Sequence, residues 1–339
     1  MENPLLELQE YENLQEALKK AKGPVQATGT LDSQKVHLMY WLGKDGGFPW
    51  KLVVTYDDQR AREIYDDFRS FTENVWLYPA KDLLFYSADI HGNLMTRQRI
   101  AVWRHLMEEK EGVVVTTLDG LMDHLLPLVF LKQQAVTVEN GQIMDLDEWK
   151  ERLTALGYER TAQVDGMGQF SIRGGIVDIF PLTEEVPVRI ELWDDEVDSI
   201  RSFDPESQRS VEQLEKITIY PSAETILTKK QLEAGIERLE KEEKEYEAAL
   251  RAKHQIEEAS RIRGIIKELT EGIRQGWKRD GLDAYIRYFC PETVSFLDYF
   301  PAGDTLICLD EPARLKEKGE TVEQEFRESM IHRLEKGYL

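Results

Sequence analysis

The sequence predicts an α/β fold with a parallel sheet, accompanied by a second domain that is rich in β-strands. Strand and helix patterns alternate from Val25 to Thr117, the order expected of a parallel sheet covered by helices. From about Gln133 the pattern changes, and short alternating strands continue to about Ile219. A late apolar run, Thr305–Leu309, has the composition of a strand that returns to the first sheet.

The spacing of apolar residues and the turn signals define the elements of the first domain. An amino-terminal helix over Glu2–Lys22 carries leucines on one face and is stopped by Pro24. The predicted elements that follow are a strand at Val25–Ala27, a helix at Ser33–Leu42, a strand at Lys51–Thr55, a helix at Asp58–Phe71, a strand at Val75–Leu77, a helix at Met95–Glu109 and a strand at Val113–Thr117.

A second domain is predicted from the strand Ala135–Val138, the turn signal at Asn140-Gly141 and the helix Asp147–Leu156. The stretch Gln169–Arg209 then alternates with a period of two, which places successive side chains on opposite faces of a sheet. The apolar set faces a core, and the other face receives four residues: Arg173, Arg189, Glu191 and Trp193.

Tryptophan in line with arginine on the polar side of a sheet has two interpretations. Both residue types anchor protein interfaces, which indicates a docking surface. Alternatively, the face is only solvated, and Trp193 lies beneath a neighbouring loop. The alternation alone leaves both open.

The last third of the chain is helical before it returns to the sheet. Thr228–Gly272 is rich in Glu and Lys at helical spacing, as in a coiled coil or in helices packed against the first domain. The strand Thr305–Leu309 and a charged helix over Glu320–Leu339 complete the chain. The predicted domains are residues 1–127, 128–220 and 221–339, the last completing the sheet of the first.

The composition excludes several functions. A formal net charge of −21 over 339 residues opposes binding to the nucleic-acid backbone. No apolar run is long enough to span a bilayer, and Cys290 and Cys308 form no paired motif, which favours a reducing cytoplasm. The six histidines form no ligand cluster, so we expect no metal site.

The segment Gly29–Val36 has the spacing of a phosphate-binding P-loop, GxxxxGK[ST], but lacks several of its working residues. Gly29 and Lys35 remain, whereas Gln34 replaces the second glycine and Val36 replaces the hydroxyl residue that ligates magnesium. Asp32 adds a negative charge to the anion cradle. We therefore predict a degenerate site that binds neither ATP nor magnesium.

An acidic pair, Asp310-Glu311, follows the late strand in the manner of a Walker B motif. Because Pro312 comes next, the same residues also fit an ordinary helix start. We expect them to belong to the vestigial nucleotide site, together with Gly29 and Lys35.

The β-rich stretch resembles the segment shared by the UvrB repair proteins and the transcription-repair coupling factors, the Mfd family. Three runs carry the resemblance: RGGIVDIFP, PVRIELWDDEVDSIRSFD and SQRS. It implies a UvrB-like fold in which the β-rich domain is inserted between two halves of the parallel-sheet domain. It also implies that this domain docks UvrA, the damage-recognition ATPase, through Arg173, Arg189 and Trp193; the last is commonly Phe in the family.

The match is closer to the coupling factors than to UvrB. UvrB keeps an intact P-loop and an aromatic hairpin that clamps DNA, for which the interval Val75–Met107 is too short. We expect Tyr78, Phe85 and Tyr86 to pack in the core or in loops. The resemblance implies a fragment from the amino-terminal region of a longer protein. There, RNA polymerase, DNA, ATP and magnesium would be bound only by domains beyond this sequence.

Three functions follow in order of preference. The first is an adaptor without catalysis that recruits UvrA to RNA polymerase stalled at DNA damage. The alternative is a divergent UvrB-type, ATP-dependent helicase subunit that binds DNA, although the degenerate P-loop argues against it. The third is an independent structural protein that uses the fold for another partner.

Overall fold

A computed structural model describes residues 3–81, 92–275 and 282–338, and the chain divides into two compact units. The first unit comprises Met1–Lys81, Glu108–Asp123 and Phe296–Val322; the second comprises Asp82–Met107, His124–Ser295 and Glu323–Leu339. The three domains predicted from the sequence, 1–127, 128–220 and 221–339, stay a prediction.

The described residues form helices and strands that we number in chain order. The helices are α1 (Gln9–Lys20), α2 (Asp32–Asp45), α3 (Asp58–Phe68), α4 (Gly92–Glu108), α5 (Leu128–Gln134), α6 (Leu146–Ala155), α7 (Lys229–Ala252), α8 (Ile256–Gln275), α9 (Ile286–Phe289) and α10 (Pro312–Glu335). The strands are β1 (Trp50–Thr55), β2 (Val75–Tyr78), β3 (Gly112–Thr117), β4 (Val136–Glu139), β5 (Glu159–Arg160), β6 (Gln169–Arg173), β7 (Ile176–Ile179), β8 (Val188–Trp193), β9 (Glu196–Phe203), β10 (Ser210–Leu214), β11 (Lys216–Ile219) and β12 (Thr305–Leu309).

The first unit is built on a parallel sheet with the strand order β12-β1-β3-β2. Residues of β1 and β3 are buried throughout, which means that both faces of these inner strands are covered, and this explains their continuous apolar runs. The late strand β12 pairs with β1 in parallel, Trp50 opposite Thr305. The predicted α/β class and the predicted return strand are both confirmed.

One predicted strand of this unit is absent. Val25–Ala27 forms no strand, and only Val25 is partly buried. Three residues after Pro24 bury too little apolar surface to hold a place in a sheet. The segment instead lines an apolar cavity of about 580 Å³ with residues of α1 and α2.

Two predicted helix boundaries also move. The amino-terminal helix is interrupted, since a 3₁₀ turn at Pro4–Glu7 precedes α1 and Leu8 between them is extended. The final helix begins at Pro312, well before Glu320, because proline suits the first helical position, where its missing N–H is not needed.

The second unit contains a six-stranded sheet in the order β10-β9-β8-β7-β6-β5, antiparallel except for β5 beside β6. Its core-facing residues alternate as predicted and pack with Trp149 and Leu153 of α6: Phe170, Val177, Ile179, Val188, Ile190, Val197 and Ile200. A separate two-stranded sheet joins β4 to β11. The helices α7 and α8 pack against each other within this unit.

The remaining predictions concern single aromatic residues and the membrane. Tyr78 is fully buried and stacks on Phe296 with ring centroids 3.7 Å apart, so its predicted packing role is confirmed. Phe85 and Tyr86 lie outside the described residues. None of the helices in the described part of the chain combines the length and apolar character that a membrane span requires.

Candidate functional site

The candidate site is the outer face of the six-stranded sheet, defined here as the side that carries Arg173, Asp178, Arg189, Glu191 and Trp193. Strand pairing sets this face, since Asp178 on β7 lies directly opposite Arg189 on β8. The next residue of β8, Ile190, points into the core and is fully buried. The predicted separation of apolar and polar faces is therefore present in the structure.

A buried carboxylate joins the two predicted arginines. The Asp178 side chain is fully buried and accepts a hydrogen bond from Arg173 Nη2 at 2.7 Å. It also accepts two from Arg189, at 2.6 Å from Nε and 2.9 Å from Nη2. This bidentate geometry is the strongest form of the arginine–carboxylate pair, and it compensates the cost of burying the aspartate charge.

Arg189 is held by more than Asp178. Its guanidinium lies over the Phe203 ring at 4.7 Å, and it donates at 3.4 Å to both the backbone and the side-chain oxygen of Gln208. Gln208 has a positive φ of 59° and is fixed by its own amide, which donates to the carbonyls of Val164 and Pro205. Hydrogen bonding to Asp178 raises the pKa of Arg189, against the opposing effect of burial.

Trp193 lies at the end of β8, where a tight turn leads into β9. It pairs with Glu196, and Asp194 in the turn has a positive φ of 59°. Trp193 is 81% exposed, so it does not lie beneath a loop of the described residues, and that part of the alternative interpretation is wrong. Whether the face is a docking surface or only solvated stays a prediction. A large apolar side chain standing in water is available to a partner.

Sequence reasoning missed the residues that organise the arginines: Asp178, Phe203 and Gln208. Asp178 was detectable in principle, as an acid on the polar side of a strand between two arginine-bearing strands. The other two come from β9 and the segment after it, and only the folded sheet brings them to Arg189.

The P-loop-like segment of the first unit is occupied by its own side chains. Gly29 keeps the positive φ, 85°, that such loops need, and α2 begins three residues later. Gln34, at the position of the second P-loop glycine, accepts the Leu31 N–H through Oε1 at 3.1 Å. Its side chain thus takes one of the backbone donors that would face a phosphate.

Lys35 lies beside the acidic pair Asp310-Glu311, and these side chains bind each other. Lys35 Nζ lies 3.0 Å from Asp310 Oδ1 and also pairs with Glu311. Arg60 Nε and Thr55 Oγ1 each donate to the second Asp310 oxygen at 3.1 Å. Burial raises the pKa of Asp310, but the hydrogen bonds from Lys35 and Arg60 outweigh it, so that the pKa is lowered.

Among the described residues, no group of three or more His, Cys, Asp or Glu side chains could hold a metal ion.

Comparison with known proteins gives matches to both a domain family and longer proteins. The family described as "UvrB interaction domain" matches residues 136–224, which contain all strands of the six-stranded sheet and both strands of the small one. The transcription-repair-coupling factor of Bacillus subtilis (strain 168) is 34% identical over 288 residues, 84% of this chain. Those of Staphylococcus aureus (strain MRSA252) and Staphylococcus haemolyticus (strain JCSC1435) are 32% and 30% identical. The chain spans about a quarter (24%) of the length of each of these relatives.

Proposed function

Because this chain is homologous to the amino-terminal region of the transcription-repair-coupling factors, we propose that it serves transcription-coupled DNA repair as an adaptor that binds UvrA. In this proposal the outer face of the six-stranded sheet is the docking surface. The chain performs no chemistry of its own. It links UvrA to RNA polymerase stalled at damage, and the polymerase is contacted by parts of the protein outside this sequence.

The observation that carries the proposal is Trp193, 81% exposed on the same face as two arginines that share one buried carboxylate. Trp and Arg are the residues that most often dominate the binding energy of an interface. Along β8, Trp193 stands four residues from Arg189, a span of about 13 Å that fits within one standard interface.

Charge supports a protein partner rather than nucleic acid. The chain carries a formal net charge of −21, and extended contact with phosphates would require a basic surface. The outer face differs locally, since Arg173, Arg189 and Arg201 lie around the carboxylates of Asp178 and Glu191. A partner surface with acidic and apolar groups complements this arrangement.

The first unit supplies the framework in this proposal and does not bind nucleotide. The amine of Lys35, which would have to reach a phosphate, is paired with Asp310 and Glu311. ATP could reach Lys35 only if these ion pairs broke. Asp32, which lies 3.4 Å from Arg60, would still add a negative charge to the cradle. ATP and magnesium are accordingly expected only in motor domains outside this sequence, and the divergent UvrB-type helicase is not favoured.

The docking proposal is tested by titrating the immobilised chain with purified UvrA. Trp193→Ala should weaken binding at least tenfold, the effect expected of an interface anchor worth more than about 1.4 kcal/mol. Arg209→Ala, which removes an exposed arginine outside the Asp178 network, is the matched control and should bind like the wild type. Equal binding by wild type and Trp193→Ala would contradict the proposal, as would no binding by the wild type.

The nucleotide half is tested by calorimetric titration of the wild type with ATP and magnesium. We expect no heat of binding, and the same result with Lys35→Ala. Saturable, magnesium-dependent binding that Lys35→Ala abolishes would overturn this half and restore the helicase alternative.

A further inference from the structure

The two arginines of the docking face are not equivalent. The Arg173 side chain is 50% exposed, whereas the Arg189 side chain is only 16% exposed. Both reach the same buried carboxylate, and Arg189 holds it with two hydrogen bonds against one from Arg173. A partner that approaches this face meets Arg173 before it meets Arg189.

The N–H groups of Arg189 are nearly all in use. A guanidinium has five N–H donors. In Arg189, Nε donates to Asp178, Nη2 donates to Asp178 and the Gln208 side chain, and Nη1 donates to the Gln208 backbone. One face of the group is covered by Phe203. Little of Arg189 is left for another protein to bind.

Arg173 shows the opposite pattern. Within the part of the chain that the structure describes, its one hydrogen-bonded partner is Asp178, through Nη2. The other N–H groups of a half-exposed guanidinium remain available to a carboxylate, which arginine can bind through two parallel hydrogen bonds.

The charges of the three groups explain why two arginines are needed. Asp178 alone would neutralise Arg173, and an acidic partner would then meet a pair without net charge. With Arg189 as the second cation, the cluster of two positive charges and one negative charge keeps one positive charge, and that charge lies at the exposed Arg173.

We propose that Asp178 and Arg189 are positioning residues, and that Arg173 is the arginine that contacts the partner. Arg189 fixes and neutralises Asp178, and Asp178 pins one edge of Arg173 so that its remaining N–H groups receive a carboxylate of the partner. This inference rests on the proposed function, because it assumes that UvrA docks on this face.

A mutant cycle for UvrA binding separates positioning from contact. Arg173→Ala should weaken binding about tenfold, and Arg189→Met should weaken it by a smaller factor. The triple variant Arg173→Ala/Asp178→Asn/Arg189→Met removes the carboxylate together with both cations, so its cluster has the same net charge as in Arg173→Ala and leaves no buried charge unpaired. It should bind no more weakly than Arg173→Ala, because Arg189 acts only through Asp178 and Arg173. A further loss in the triple variant would show that Arg189 touches the partner, and would overturn the inference.

Two variants guard the cycle against a misfolded sheet. Trp193→Ala should still weaken binding by the same factor in the Arg189→Met background if the face is intact. Asp178→Asn separates geometry from charge, because it raises the net charge of the cluster while removing the anchor. Positioning predicts weaker binding by Asp178→Asn, and tighter binding would contradict it.

A measurement without the partner distinguishes failure of this inference from failure of the proposed function. Nuclear spin relaxation of arginine side-chain nitrogens in the free chain should show Arg173 ordered in the wild type and mobile in Asp178→Asn. Equal order in both proteins would overturn the positioning role whether or not UvrA binds. Absence of UvrA binding with this difference present would overturn only the docking proposal.

Discussion

The two units of this protein contain the same chemical device and place it in opposite settings. Each has a fully buried aspartate clamped by two cations: Asp310 by Lys35 and Arg60 in the first unit, Asp178 by Arg173 and Arg189 in the second. In the first, both cationic side chains are largely buried, at 16% and 9% exposure. In the second, one of them is half exposed.

The Asp310 cluster is therefore closed to a partner, whereas the Asp178 cluster is partly accessible to one. Asp310 and its two cations are buried or largely buried, and the cluster ties β12 and the start of α10 to α2 and α3. Around Asp178 the inner arginine is used inside the fold, while the outer one offers donors to water or to a partner. In the proposed function, this accessible part of the Asp178 cluster is what a partner would bind.

The largest expected effect comes from disrupting the Asp310 cluster. Asp310→Ala removes the buried carboxylate that Lys35 and Arg60 share and leaves them only their more exposed partners, Glu311 for Lys35 and Glu63 and Asp32 for Arg60. It should destabilise the first unit by about 3 kcal/mol. Hydrogen exchange of β1 and β12 would measure it. The matched control, Glu311→Ala, removes a half-exposed partner of the same lysine and should cost at most about 1 kcal/mol. Equal losses in both variants would contradict the comparison.

Truncating Trp193 on the outer face should change UvrA binding without changing stability. Trp193→Ala should weaken UvrA binding by about 2 kcal/mol and leave the free energy of unfolding within about 0.5 kcal/mol of the wild type. Val211→Ala, at another exposed apolar residue of the same sheet, is the control and should change neither. Loss of stability in Trp193→Ala would show that the side chain serves the fold.

Acid should gradually weaken the stabilisation provided by the Asp310 cluster. The folded pKa of Asp310 is lowered, so its ionised form contributes stability that is present above its unfolded pKa of about 3.9 and is lost as the pH falls through the folded value. The stability advantage of the wild type over Asp310→Asn should therefore shrink below about pH 4. A difference that stays constant across this range would show that the charge of Asp310 contributes nothing.

Ionic strength should have the smallest effect, and only on partner binding through the exposed Arg173. Salt screens the exposed charge of Arg173 beyond a Debye length, about 8 Å under physiological conditions. The buried ion pairs of the Asp310 cluster are screened much less. Added salt should therefore slow UvrA association, with little change in dissociation, as stopped-flow measurements would show. A salt-independent association rate would contradict the role of Arg173.

The sequence predicted the parts of this structure that depend on local pattern. Apolar runs identified β1 and β3, and the short run Thr305–Leu309 identified the strand that completes the parallel sheet. The period of two placed Trp193 outside the core. These predictions succeeded because burial on one or both faces of a strand is written directly into its residues.

The organisation of the candidate site was not predictable in the same way. The pairing of β7 with β8 places Asp178 opposite Arg189, and no local pattern specifies this register. The burial of Arg189 depends on Phe203 and Gln208, which are 14 and 19 residues away along the chain. The strand assigned to Val25–Ala27 failed for the complementary reason, because its short apolar pattern had no neighbouring strand to pair with.

Hydrogen–deuterium exchange of this chain, alone, with UvrA and with ATP and magnesium, tests the contrast between the two units most directly. UvrA should protect the amides of β8, β9 and their connecting turn, and ATP with magnesium should leave residues 29–36 unchanged. Protection around Lys35 by nucleotide would contradict the account, and so would an unprotected Trp193 turn in the presence of saturating UvrA.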